Sequence, residues 1–210
     1  MNSIGESFGW PFQGQDWVGR LLVQGLITII PIIGWIATAG WMMITLDNYR
    51  AGNHELAPAG FHLGRGIGIF GVFFIYSLVF GAVGGIIDRA GLHGLGDFVE
   101  LVLRVLLLFV SAALILLVYR RGFSAGFDFG EIWRATMANP SNAIIAGLII
   151  FVGSVIAGAG AIVCLVGLIF TIPYGSAITA GAVAWFEQQS GGAQVQGGPG
   201  DPGDQASTAS

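Results

Sequence analysis

The sequence predicts an all-α protein, a polytopic membrane bundle of five to six helices with one short amphipathic helix lying at the interface. Three observations predict it. Of 210 residues, 54% are apolar and 10% are charged, less than half the charged share of about 25% found in soluble domains. Charge-free runs extend from Leu21 to Leu46 (26 residues), from Gly66 to Ile87 (22) and from Ala135 to Phe186 (52). A helix rising about 1.5 Å per residue needs about 20 residues to cross hydrocarbon, so each run can hold a span and the last must hold two. The runs are also apolar on consecutive positions. A barrel strand would alternate, which leaves helices as the structure that satisfies its own backbone in lipid.

The first segment, 1–16, carries Phe8, Trp10-Pro11-Phe12 and Asp16 and is expected at the membrane surface. Residues 1–9 hold Glu6 and no cation, unlike the positive start of a cleaved signal peptide, so the first membrane helix is expected to stay attached. The run that follows contains Pro31, which cannot donate to the helix ladder. It reads either as one kinked helix about 39 Å long by rise per residue or as a hairpin. The hairpin joins helices over about 17–31 and 33–50 at Pro31-Ile32-Ile33-Gly34. Trp35 favours the hairpin, because tryptophan prefers the interface, and Trp41 pulls the other way.

Helices over about 66–88 and 97–119 come next. The second has only 15 charge-free residues, Val105 to Tyr119, and reaches spanning length by including Asp97, Glu100 and Arg104. Over 127–139, Asp128 and Glu131 stand at capping-box spacing, and Asn139-Pro140 both stops one helix and starts the next. Phe129, Ile132, Trp133, Thr136 and Met137 recur at helical spacing apart from Glu131 and Arg134, which suits a helix in the headgroup layer. It reads as a linker that positions the last hairpin, or as a lateral gate or docking surface. Helices over about 141–158 and 161–187 fill the long final run, turning at Gly158-Ala159-Gly160. The membrane domain is thus 17–187. The Gly-, Pro- and Ser-rich stretch 188–210 is expected to be disordered, because it cannot bury enough apolar area to offset chain ordering.

Arginine orients the chain, since cytoplasmic loops collect basic residues. With six helices, Arg20, Arg50, Arg65, Arg120, Arg121 and Arg134 share one side, against Arg89 and Arg104. With five, Arg20 changes sides. Both versions place the C-terminus in the cytoplasm and the protein in the cell membrane.

The chemistry-bearing residues are few. All eight cations are arginine and the net charge is −4, which argues against nucleic acid. A lone Cys164 excludes an internal disulfide or a multi-cysteine metal site. His54, His62 and His93 lack metal-ligand spacing. Gly66-x-Gly68-x-x-Gly71 matches a dinucleotide pattern but opens an apolar run instead of following a strand, so its glycines read as packing faces. Gly64/Gly68, Gly81/Gly85 and Gly153/Ala157 have the spacing of close helix contacts. Ser77, Ser111 and Ser154 have no base placed beside them and read as backbone-bonding hydroxyls. Thr171 and Thr179 flank Pro173-Tyr174, where they could satisfy carbonyls freed by the proline. Glu100 and Arg104, four apart, form either an interfacial pair with a snorkelling arginine or an ion pair on a polar path. No catalytic, cofactor-binding or metal-binding residue is assigned.

Pro11-Phe12, Asp16-Trp17, Gly25-Leu26 with Pro31 and Gly34, Phe127-Asp128-Phe129, Glu131-Ile132, Asn139-Pro140 and Pro173-Tyr174 together carry a likeness. From Phe8 to Glu187 the chain resembles the domain-of-unknown-function family 4013, uncharacterised prokaryotic multi-pass membrane proteins. The resemblance implies a helical membrane domain and no activity.

The expected function is therefore non-enzymatic: a membrane scaffold or accessory subunit whose partners are the lipid bilayer and other membrane proteins or a second copy of itself. The alternative is a small-solute or lipid transporter built on proline-broken helices. A cavity reaching the midplane and lined by Arg104, Thr171 or Tyr174 would favour transport, and a solid apolar interior would exclude it.

Overall fold

The computed structural model describes residues 6–14, 16–92, 94–160 and 165–190, and among them there is no strand. The expectations for residues 1–5, His93, Cys164, the start of the last helix at 161 and the tail from 191 lie outside the described residues. A short helix α1 (Glu6–Gly9) and a 3-10 turn (Trp10–Phe12) lead into α2 (Trp17–Thr28) and α3 (Ile33–Arg50). Then come α4 (Leu63–Arg89), α5 (Leu95–Arg121), a 3-10 turn (Phe123–Phe127), α6 (Phe129–Met137), α7 (Pro140–Ala159) and α8 (Leu165–Gln189). Four helices are long and apolar enough to cross a membrane: Leu63–Arg89, Leu95–Arg121, Pro140–Ala159 and Gly167–Gln189.

Between Thr28 and Ile33 the chain reverses, so the Pro31 region is a turn and not a kink within one helix. Ile32 adopts φ +66°, which a β-branched residue rarely does, and Gly34 then passes directly against the Ile27 carbonyl. The reversal brings Arg20 at the start of α2 beside the loop that follows α3, where it pairs with Glu55 at 3.1 Å and donates to the Leu56 carbonyl. Gln24, fully buried, ties the same elements together. Its side-chain amide donates to Thr38 Oγ1 (3.3 Å) and its carbonyl oxygen accepts the Gly60 N–H (3.0 Å). Leu56 and Ala57 are drawn inside, where the Trp41 indole donates to the Ala57 carbonyl at 2.9 Å. This irregular, buried backbone is satisfied by protein groups.

The helices cross at glycines. Gly40 and Gly66 bring α3 and α4 together: a Cβ on Gly66 would stand 2.7 Å from the Gly40 nitrogen. Gly153 and Ala157 of α7 meet Gly175 of α8. Of the other small pairs expected to pack, Gly64, Gly81 and Gly85 face open space and Gly68 only just reaches a neighbour. The inner face of α4 is Gly66, Ile69, Val72, Tyr76 and Gly84. The expected spacing was present, but the helix presents a different register to its neighbours.

The Asp128 carboxylate accepts the Glu131 N–H at 3.0 Å and caps α6, as the spacing suggested, whereas the Glu131 carboxylate turns to Arg121 instead of closing a capping box. Ile132 and Thr136 of α6 are buried against the bundle while Phe129, Trp133 and Met137 face outward. Pro140 opens α7 and α8 continues to Gln189.

Packing density differs between the two ends. At the end where α5 finishes, every residue from Ser111 to Val118 is buried, as is every residue from Ala180 to Phe186 of α8. Toward the start of α5, Leu101, Val102, Val105 and Leu106 are exposed. α5 and α8 are closely packed in the half toward Arg120, and the bundle is splayed near Arg104.

Candidate functional site

The splayed half leaves an open cavity of about 480 Å³, within the range of about 300–1,000 Å³ typical of ligand sites. Five of the longer helices and the end of α2 contribute to it: Thr38 from α3, Ser77 from α4, Arg104 and Ser111 from α5, Ser154 from α7, Ser176 from α8 and Thr28 at the α2 terminus. Its floor is Met42, Ile69 and Ile115, all buried. Arg104 marks the mouth, nine residues into α5 with its side chain 64% exposed. From Arg104 to Ile115 is about 16 Å along the helix axis by rise per residue, so the chamber extends over about that length of the bundle.

The lining hydroxyls bond to their own helices. Ser111 donates to the Leu108 carbonyl (2.7 Å), Ser154 to Ile150 (2.9 Å), Ser176 to Ile172 (3.0 Å) and Thr179 to Gly175 (3.0 Å). With its proton committed, each oxygen retains only acceptor capacity for another partner. Arg104 is the charged residue of the lining. Its Nε donates to Glu100 Oε1 at 2.9 Å and a terminal nitrogen to the same oxygen, so the expected pair forms, at the mouth and exposed. Five guanidinium N–H groups less two leave three for other partners. Asp97, exposed in the first turn, stays outside the pair.

The remaining sequence candidates serve other purposes. Thr171 donates to the Ala157 and Gly167 carbonyls, and the Tyr174 hydroxyl donates to the Phe8 carbonyl at 2.8 Å, so neither lines the chamber. Pro173 denies the Ile169 carbonyl its donor four residues on, and Gly25 of α2 presses its backbone against that group where a threonine had been expected. His62 contacts the Pro58 carbonyl at 3.0 Å and His54 packs edge-on to Tyr49. Among the described residues no three His, Cys, Asp or Glu side chains cluster as a metal site would require.

The closed end carries a network that spacing alone does not suggest. Glu187 of α8 accepts from Arg50 of α3 (2.7 Å) and from Arg120 of α5. Asp47 of α3 accepts from Arg65 of α4 and from the Tyr119 hydroxyl, and Arg50 lies 4.9 Å from the Tyr119 ring centroid. Four helices are thus held together below the cavity floor. The one sequence hint was arginine: Arg20, Arg50, Arg65, Arg120 and Arg121 do gather at this end through these contacts. Gln24, Thr38 and Ser176 carried no signal beyond being polar in apolar runs.

No curated protein and no solved structure matches the chain. A family model does, from within α2 to the first turns of α8 over residues 23–167, and the chain belongs to that family, described as protein of unknown function (DUF4013).

Proposed function

We propose that the chain is a non-enzymatic multi-pass protein of the cell membrane that takes up a small solute or lipid in the chamber between its helices and moves it across the bilayer. One observation carries the reading. A ligand-sized cavity with a single cationic residue, Arg104, and several Ser and Thr residues in its lining runs past the middle of the helices to a packed floor of Met42, Ile69 and Ile115. That is the geometry expected of a site accessible from one side at a time. A solid apolar interior would have excluded transport, and the interior holds this cavity. In this reading six helices are membrane-embedded. Four span and α2–α3 forms a hairpin, because the 12 residues of α2 cover only about 18 Å. Both ends of the described chain then lie on the arginine-rich, cytoplasmic side.

The test is retention of a ligand. Protein purified in mild detergent is extracted, and bound small molecules are identified by mass spectrometry, beside a Ser154→Trp variant that fills the chamber. One solute or lipid class enriched in the natural protein and lost in the variant supports the reading; identical extracts oppose it.

A second reading, as an accessory subunit, draws on Gly81 and Gly85, which face outward on α4 with nothing against them. Small residues at this spacing let a second helix approach closely. Crosslinking in cells from a cysteine at Gly81 distinguishes it.

A further inference from the structure

At the closed end lies a second, polar cavity of about 690 Å³, walled by the first two turns of α4 and the last turn of α5 with the Gly122-Phe123 link. We propose that it holds the headgroup of an anionic glycerophospholipid. Arg65 and Arg120 both line it, and no carboxylate does. Their acidic partners, Asp47 of α3 and Glu187 of α8, stand outside the wall, so each guanidinium turns one edge to its partner and has further N–H groups to offer the cavity. The network is not neutral. Arg50, Arg65 and Arg120 face Asp47 and Glu187, three cations against two anions. The adjacent Arg121 is matched separately by Glu131. One positive charge therefore remains at the cavity, at the helix ends where a bilayer's phosphates lie, and basic pockets between membrane helices at that level suit acidic headgroups.

The cavity margin supplies the rest of the lipid site. Ile67 and Phe123 line the cavity and are 62% and 45% exposed. Beyond them, α4 continues outward with Phe74 and Leu78 exposed. Gly64 and Gly68 leave the wall between headgroup and chain without side chains. A free phosphate would use the arginines and leave this apolar margin uncovered, so a lipid fits the whole surface better.

The experiment is native mass spectrometry of the full chain, released from detergent with phosphatidylglycerol or phosphatidylcholine, and separately with inorganic phosphate. The natural protein is expected to retain phosphatidylglycerol about tenfold better than phosphatidylcholine, the ratio that about 1.4 kcal/mol supplies. Arg65→Gln, which removes the surplus charge, is expected to bring that ratio near one. Asp47→Asn, which doubles the surplus and keeps an acceptor for Tyr119, is expected to hold or raise it. Melting of all three proteins in phosphatidylcholine reports folding separately. Equal retention of the two lipids by the natural protein overturns the proposal, as does an unchanged preference in Arg65→Gln. If Asp47→Asn falls with Arg65→Gln, the arginine serves the network and not a headgroup. If phosphate alone competes the lipid away at equal concentration, the site is for a free anion.

Discussion

Replacing Gly25 by alanine tests how α2 is held to α8. Pro173 has no N–H, so the Ile169 carbonyl loses the donor it would have in an unbroken helix, and the α2 backbone at Gly25 covers it. A Cβ at position 25 would stand 2.7 Å from the Ile169 Cα and closer still to the carbonyl. Carbon atoms pack at about 3.5–4.0 Å, so the helices must part by about 1 Å at the crossing. Overfilling a packed interior costs about 1–3 kcal/mol, and here it also strips cover from a carbonyl with no helical donor. Alanine's better helix propensity returns up to about 1 kcal/mol. The expected net loss is about 1–2 kcal/mol, measured by reversible unfolding in mixed detergent micelles. Gly81→Ala is the reference, because nothing lies within 4 Å of that position, and it should be neutral or slightly stabilising. Equal stability of the two variants would refute the proposed crossing.

Gln24→Leu leaves the part-buried Gly60 N–H without its acceptor, and should destabilise by about 1 kcal/mol in the same unfolding assay. Glu187, whose side chain is 12% exposed, is the acceptor shared by Arg50 and Arg120, and Glu187→Gln weakens it. With hydrogen bonds to charged groups worth about 1.5–3 kcal/mol, faster amide exchange is expected at the ends of α3, α5 and α8; unchanged exchange would show that the network does not close this end. Asp128→Ala should cost about 1 kcal/mol through the lost cap, read as faster exchange at the Glu131 amide.

The helical class was legible because hydrocarbon admits few backbone solutions, and the charge-free runs marked three of the four long apolar helices directly, α5 requiring Asp97, Glu100 and Arg104 to be included. The α6 cap was legible because it is local, with Asp128 reaching only as far as Glu131. What could not be read depends on rotation about helix axes. Gly64, Gly81 and Gly85 have packing spacing yet face outward, while Gly66 and Gly84, which share no such pair, carry the crossings. Between Thr28 and Ile33, Pro31 by itself admitted a kink or a turn, and only Trp35 and the arginine distribution leaned toward the turn. The pairing of Arg20 with the loop beyond α3, a contact between residues 35 apart, accompanies the reversal and was invisible to local pattern. The pairing of Arg104 with Glu100 was legible from their spacing of four and forms as expected. Arg104's companions Ser111, Ser154 and Ser176 were ordinary hydroxyls until three helices brought them to one chamber.

One-sided access to that chamber is the claim on which the functional reading rests. With Cys164 replaced by serine, a cysteine at Ser176 is exposed to a membrane-impermeant thiol reagent in vesicles of each orientation, beside a control at Val183, which is fully buried in the packed half. Modification of the Ser176 position from the Arg104 side alone, with Val183 silent, is the predicted result. A residue that stays unreactive from both sides, or reacts equally from the Arg120 side, would contradict it.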